Sequence, residues 1–123
     1  MNIELQHGET LIRDGLANLE RGMEQVGGRL FLTDRRLQFM AHAMNVQTAP
    51  LTIALGDVTQ VKMRWTRFLG FLPLLPNSMG VGTTGGTEYR FAVWRRRKWR
   101  RLIRKQVEAL DAGTGAGATA VDA

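Results

Sequence analysis

The sequence of 123 residues contains no cysteine. That excludes disulfides, a thiol nucleophile and any thiolate metal centre. It agrees with a reducing compartment without requiring one. Histidine is almost as scarce, with His7 and His42 the only two. A catalytic histidine needs a nucleophile or a carboxylate partner, and a metal centre needs further ligands. Nothing in the sequence places such partners. The carboxylates Glu9, Asp14, Asp34 and Asp57 fall at predicted strand starts or turns, and no pair is argued into general acid–base geometry. No catalytic residue, metal, cofactor or small-molecule substrate is therefore expected. Long apolar runs are also missing. The longest, FLGFLPLL from Phe68 to Leu75, is far short of the roughly 20 residues that span a bilayer, and Pro73 interrupts it. The opening MNIELQHGET has neither the basic nor the apolar stretch of a signal peptide. A soluble, cytoplasmic chain is expected.

What is abundant is positive charge, and it is concentrated. The net charge is +6, yet RRRKWRRLIRK, residues 95 to 105, alone carries eight cations and no acid. The remainder is therefore acidic, at −2, and residues 1 to 28 set five acids against two arginines. Such asymmetry marks an electrostatic footprint at one end of the sequence.

Period-2 alternation fills the middle of the chain. Leu37, Phe39 and Ala41 share one face, with Gln38, Met40 and His42 on the other. Leu51, Ile53 and Leu55 repeat the pattern, as do Val61, Met63 and Trp65, and then Tyr89, Phe91 and Val93. Each is the signature of a half-buried strand. Turn signals such as Gly27-Gly28, Thr33-Asp34, Gly56-Asp57, Pro76-Asn77 and Gly85-Gly86 separate them. The reading is seven strands, near 10–19, 26–33, 35–42, 50–55, 57–65, 78–84 and 87–94. Their short spacing implies antiparallel meanders in a sandwich or barrel. The period then changes to that of a helix, with Trp99, Leu102, Ile103, Gln106, Val107 and Leu110 on one face. Arg97, Lys98, Arg100, Arg101, Arg104 and Lys105 occupy the other. A length of this order suits one domain, set at residues 1–111. The Gly/Ala/Thr-rich segment 112–123 is too poor in large apolar residues to hold itself in place, so a flexible tail is expected there.

Seven strands and one amphipathic helix follow the order of the pleckstrin-homology-like fold. GGRLFLTDRRLQF (27–39), LTIALGDVTQV (51–61) and LPNSMGVGTTGGTEYRFAVWRRRKW (75–99) resemble, in order and spacing, the signature of GRAM domains. FMAHAMNVQ (39–47) is similar to a bacterial branch with a histidine and an asparagine in the hairpin after this strand. The resemblance implies a mainly β, pleckstrin-homology-like barrel or sandwich capped by a C-terminal helix. It implies a binding module for lipid or protein, without catalysis. Pleckstrin-homology domains that grip phosphoinositides carry basic residues in the first hairpin loop. Here that loop, Glu20-Arg21-Gly22-Met23-Glu24, is balanced to acidic, which points to a flatter contact elsewhere.

Several motifs have plain structural readings. Gly80-Val81-Gly82-Thr83-Thr84-Gly85 spells G-x-G-x-x-G, but it leads into a strand rather than the helix a dinucleotide needs. His42 and Asn45 are expected to supply hydrogen bonds that fix a hairpin turn. Trp65 to Pro76 is read as a loop, and it is unusually apolar for one. It is a wedge for a bilayer interface, a subunit contact, or a flap over the open end of the barrel.

Two functional readings lead. In the first, Arg64, Arg67, Arg95, Arg96, Arg97, Lys98, Arg100 and Arg101 meet an anionic lipid surface, at the inner face of a membrane. Phe68, Leu69, Phe71, Leu72 and Leu74 then supply the apolar anchor. In the second, the apolar run binds a protein partner or a second copy of the chain, making a homo-oligomer. Nucleic acid ranks third, because the aromatics fall on the core face or at strand ends rather than on an exposed platform.

Overall fold

A computed structural model of the chain describes residues 2–42 and 49–122, with side chains described as far as Ala112. Seven strands appear in order: β1 (Leu11–Arg21), β2 (Glu24–Thr33), β3 (Arg36–Ala41), β4 (Leu51–Ala54), β5 (Val58–Phe68), β6 (Leu72–Thr83) and β7 (Glu88–Val93). A 3-10 turn, Leu55–Asp57, joins β4 to β5, and the helix α1 (Arg96–Asp122) closes the chain. Every pairing is antiparallel. The strand order β4-β3-β2-β1-β7-β6-β5 curls into a half-barrel. This is the mainly β, helix-capped fold that the alternation predicts.

The concave side holds the core. Leu19, Leu30, Leu32, Leu37, Phe39, Ile53, Val61, Met79, Val81 and Phe91 are buried there. Phe39 and Phe91 meet at 5.9 Å between ring centroids with their planes tilted by 47°, a contact that ties β3 to β7. Trp99 and Ile103 press the first turns of α1 onto this core, both almost fully buried. Arg13 lies 5.2 Å above the Trp99 ring. Burying these side chains is the main drive for the fold, at roughly 1.5–3 kcal/mol for each large apolar residue.

Phe31 and Thr33 alternate with core residues Leu30 and Leu32, yet they are buried too. Glu9 is fixed beside Thr33, accepting from its hydroxyl at 2.6 Å and from Arg36 Nε at 2.9 Å and Nη2 at 3.0 Å. Arg36 also donates to the Glu4 carbonyl. The N-terminal segment is thus stitched to the start of β3.

One expectation needs revision. Trp65 to Pro76 is not a loop. β5 continues to Phe68 and β6 begins at Leu72, so the segment is a two-stranded arm. Pro73 and Pro76 argue against a strand by sequence, since proline donates no ladder bond. They are tolerated because β7 pairs with β6 only from Ser78 onward, leaving one edge of the arm without a neighbour. The helix backbone continues through residues 112 to 122, where composition predicts a tail. Gly113, Gly115 and Gly117 there each weaken a helix by about 1 kcal/mol relative to alanine. The His42 side chain is exposed, and the residue's backbone N–H donates to the Gly27 carbonyl at 3.0 Å. Asn45 lies outside the described residues.

Candidate binding surface

The arm leaves the sheet at a pair of register shifts, one between Arg64 and Thr66 and one between Thr66 and Arg67. Such bulges bend and twist a ribbon. At the bend the Thr66 hydroxyl donates to Asn77 Oδ1 and lies 2.6 Å from the Ser78 hydroxyl. The arm's contacts then run from strand to strand. The Trp65 carbonyl accepts from Arg90 of β7 at 3.4 Å, and Arg67 pairs with Glu20 of β1. A Cβ on Gly70 would stand 2.9 Å from the Gly22 carbonyl oxygen, at the β1–β2 turn. Arg90 and Glu20 alternate with core residues Phe91 and Leu19, so the arm crosses the solvent side of the sheet.

Its tip is a tight turn in which the Phe71 N–H donates to the Phe68 carbonyl. Leu69 (φ 55°) and Gly70 (φ 81°) are both left-handed, as a two-residue hairpin turn requires. Glycine suits this geometry and leucine does not. Around the turn Phe68, Leu69, Phe71, Leu72, Leu74 and Leu75 are all exposed, Phe71 at 71%. Met23 joins them from the β1–β2 turn, equally exposed. Sequence reading found the arm residues through their unbroken apolar run. It missed Met23, which has no signal beyond being a lone methionine in a turn.

The basic residues divide into two groups. Arg64 forms a two-pronged pair with Glu88, at 2.7 and 2.9 Å. That hydrogen-bonded pair holds Glu88 below the usual carboxylate range and Arg64 above its ordinary one. Glu20 does the same for Arg67. Arg96 donates to the carbonyls of Arg64 at 2.7 Å and Ser78 at 3.3 Å, fastening α1 to the base of the arm. These three of the expected anion-binding arginines are therefore committed to the fold. Among the described residues, the side chains of Arg95, Arg97, Lys98, Arg100 and Arg101 have no hydrogen-bonding or ion-pair partner. Burial lowers the Arg96 pKa, and the positive charges of Arg97 and Arg100 lower it further. Among the described residues no carboxylate lies within ion-pair distance of these cations, and Glu108 is the one acid that shares a surface depression with Arg97, Arg100 and Arg101.

Trp94 stands between arm and helix, 80% exposed. With Pro76, Asn77 and the cations at the start of α1 it lines a shallow depression of about 640 Å³. On its other side it shares a second depression with Leu16 and His42. The structure thus brings Trp94 and the helix cations together at the root of the apolar arm. The sequence places these pieces up to 30 positions apart and gives no sign that they share a side.

The glycine-rich run has a packing role. A Cβ on Gly80 would lie 1.9 Å from Glu88 Oε1, and one on Gly82 about 3.0 Å from Gln60. Both glycines let side chains of neighbouring strands cross close above β6.

The model of the GRAM domain family matches residues 1–109. The chain belongs to the GRAM domain family. Solved structures agree on the fold. The Vps36 N-terminal PH domain superposes with a TM-score of 0.66 at 18% identity, covering 89% of this chain and 86% of its own. The C-terminal domain of an unknown protein from Leishmania infantum gives 0.67 at 18% identity, over 82% and 86%. The linker-DH/PH domains of p115-RhoGEF give 0.62 at 15% identity, over 85% of this chain and 30% of that one. No curated protein matches the sequence. GRAM and pleckstrin-homology-like domains are typically lipid- or protein-binding modules and generally non-catalytic, and no enzyme family is indicated. No described helix of this GRAM domain is long and apolar enough to cross a membrane.

Proposed function

We propose that this GRAM domain is a non-catalytic module that docks peripherally on an anionic membrane surface. The observation that carries the reading is the arm tip. Phe68, Leu69, Phe71, Leu72 and Leu74 stand exposed together, on a ribbon whose root adjoins the unpaired cations of α1. Contiguous apolar patches on a soluble surface mark sites of contact. Stable peripheral anchoring needs an apolar element together with a basic one. Arg95, Arg97, Lys98, Arg100 and Arg101 supply the second, each worth about 1 kcal/mol near an anionic leaflet. Arg64, Arg67 and Arg96 contribute by holding the arm and the helix in place.

A second reading rests on the same arm. An apolar ribbon of this shape also suits a protein partner or a second copy of the chain, and then charge matters little. Salt separates the two, since exposed charge contacts are screened beyond about 10 Å at 0.1 M ionic strength. Co-sedimentation with vesicles containing phosphatidylglycerol is expected to be strong at low salt and to weaken as salt rises. It is expected to be negligible with phosphatidylcholine alone. Equal pelleting with both vesicles, or with neither, contradicts the membrane reading. A dimer that persists in high salt, seen by analytical ultracentrifugation, favours the interaction module instead.

A further inference from the structure

We propose that the depression framed by Asn77, Trp94 and the first two turns of α1 is a receptor for a phosphomonoester. The membrane form of this ligand would be a lipid whose headgroup ends in a phosphomonoester. The inference deepens the membrane reading above and rests on it for the lipid, though not for the phosphate.

The charge balance is the first ground. On the strands, Arg29, Arg36, Arg64, Arg67 and Arg90 each have a carboxylate within 3.7 Å, whereas Arg13, Arg21 and Lys62 stand apart from one another and, among the described residues, without such a partner. The depression gathers cations of the second kind in one place. Arg95, Arg97, Lys98 and Arg101 line it, and among the described residues none has an acidic partner. Arg96, beneath them, is spent on two backbone carbonyls. Four cations gathered without a counter-charge repel one another, and a ligand of matching charge relieves that repulsion. A phosphomonoester carries about −1.5 to −2 at neutral pH and three strong acceptor oxygens. A phosphodiester carries a single charge. Guanidinium groups bind phosphate oxygens in two-pronged fashion, which adds geometric selectivity.

The walls are the second ground. The space of about 640 Å³ is open on one side. Trp94 forms one rim, and its indole N–H has no partner among the described residues. An exposed indole has an apolar body and a polar edge, which suits the level of lipid headgroups. Arg95 is also one of only two described non-glycine residues with positive φ, at 59°. The other, Leu69, is at the arm tip. Conformations of this kind cost energy and gather at ligand clamps. In this molecule they fall on the two ends of the candidate surface.

Spacing is the third ground. Asn77 lies five residues along β6 from Leu72 at the arm tip, a span of about 17 Å at 3.3 Å per residue. Tip and depression therefore lie within about 17 Å of each other along the arm, close enough for one membrane surface to meet both. The site is also remote from the β1–β2 and β6–β7 turns. Val93 pairs with Ala17 and Phe91 with Leu19, so Trp94 follows the opposite end of β7.

The test has a soluble arm and a vesicle arm. In the first, 15N-labelled protein is titrated with glycerol 3-phosphate in about 0.1 M salt. Expected are saturating shifts of the Trp94 indole N–H, the Asn77 amide and the amides of Arg95 to Arg101. In R97Q/R101Q the affinity is expected to fall at least tenfold. In the second arm, vesicles with phosphatidate are compared with phosphatidylglycerol vesicles of equal surface charge. Expected is a several-fold preference for the phosphomonoester lipid, which R97Q/R101Q abolishes while retaining weak binding to both. Shifts at Trp94 without binding to any vesicle leave the receptor standing and sink the membrane reading. Binding to both vesicles without preference, with Trp94 silent towards glycerol 3-phosphate, overturns the receptor and leaves the membrane reading intact.

Discussion

Arg67 on the arm and Glu20 on β1, 47 positions apart, form a two-pronged ion pair with Nε–Oε1 at 3.1 Å and Nη2–Oε2 at 2.6 Å. The pair spans the solvent side of the sheet and pins a ribbon that has no third strand to hold it. Arg96, bonded to the carbonyls of Arg64 and Ser78, secures the ribbon's root. Beyond the Arg67 pin the arm presents Phe68, Leu69, Phe71 and Leu72 without burying them.

If the pair fixes the arm, its loss should loosen the arm more than the sheet. In Arg67→Ala or Glu20→Gln, amide hydrogen exchange between Thr66 and Leu75 is expected to quicken, while Leu30 to Leu32 remain protected. A double-mutant cycle should give a coupling of about 1 kcal/mol, as for partly exposed pairs. Unchanged exchange in the arm would show that its own ladder suffices.

Gly28 sits where β2 meets β3, and a Cβ there would approach the Met40 carbonyl oxygen at 2.3 Å and Phe39 at 2.6 Å. Gly28→Ala is expected to cost about 1–3 kcal/mol through overpacking, read as a lower urea midpoint with unchanged slope. Gly85→Ala, with nothing within 4 Å of the added carbon, is the control and should leave the midpoint in place.

Glu9 makes stability depend on acid. Hydrogen bonds from Arg36, and then from Thr33 and the Gln6 N–H, hold its pKa at about 2 against an ordinary 4.5, although burial acts in the opposite direction. A carboxylate with a depressed folded-state pKa contributes fully above its unfolded value. That contribution is lost as pH falls through the folded value. Thermal stability should therefore decline between pH 4.5 and about 2. In Glu9→Gln the decline over this window should flatten. The variant should also be weaker at pH 7 by about 3 kcal/mol, the scale for breaking a buried pair. A parallel pH profile in the variant would assign the acid sensitivity to other carboxylates.

Much of the fold was legible because its signals are local. Alternation at Leu37, Phe39 and Ala41, or at Tyr89, Phe91 and Val93, needs no knowledge of partners, and neither does the helical stripe from Trp99 to Leu110. The arm was not legible as strands. Phe68 to Leu75 has no alternation, since neither face of the ribbon is covered and both tolerate apolar side chains. Two prolines add a false loop signal. The division of the arginines was hidden for another reason. Arg64, Arg67 and Arg96 look like Arg95, Arg97 and Arg101 in sequence. Only long-range geometry commits the first three to Glu88, Glu20 and two carbonyls. Trp94 and Trp99, five apart, already differ in sequence, since only Trp99 lies on the helical stripe, and the structure separates them at 80% and 1% exposure.

The absence of cysteine allows entry of the arm tip into a membrane to be read directly. Phe71→Cys carries an environment-sensitive fluorophore at a single exposed position. Adding vesicles rich in phosphatidylglycerol is expected to shift its emission to the blue and raise its intensity. High salt should reverse the shift, and phosphatidylcholine vesicles should leave the spectrum unchanged. Emission that stays water-like on vesicles to which the protein has bound would contradict the account. A blue shift that appears without vesicles and grows with protein concentration would place the arm in a contact between copies of the chain.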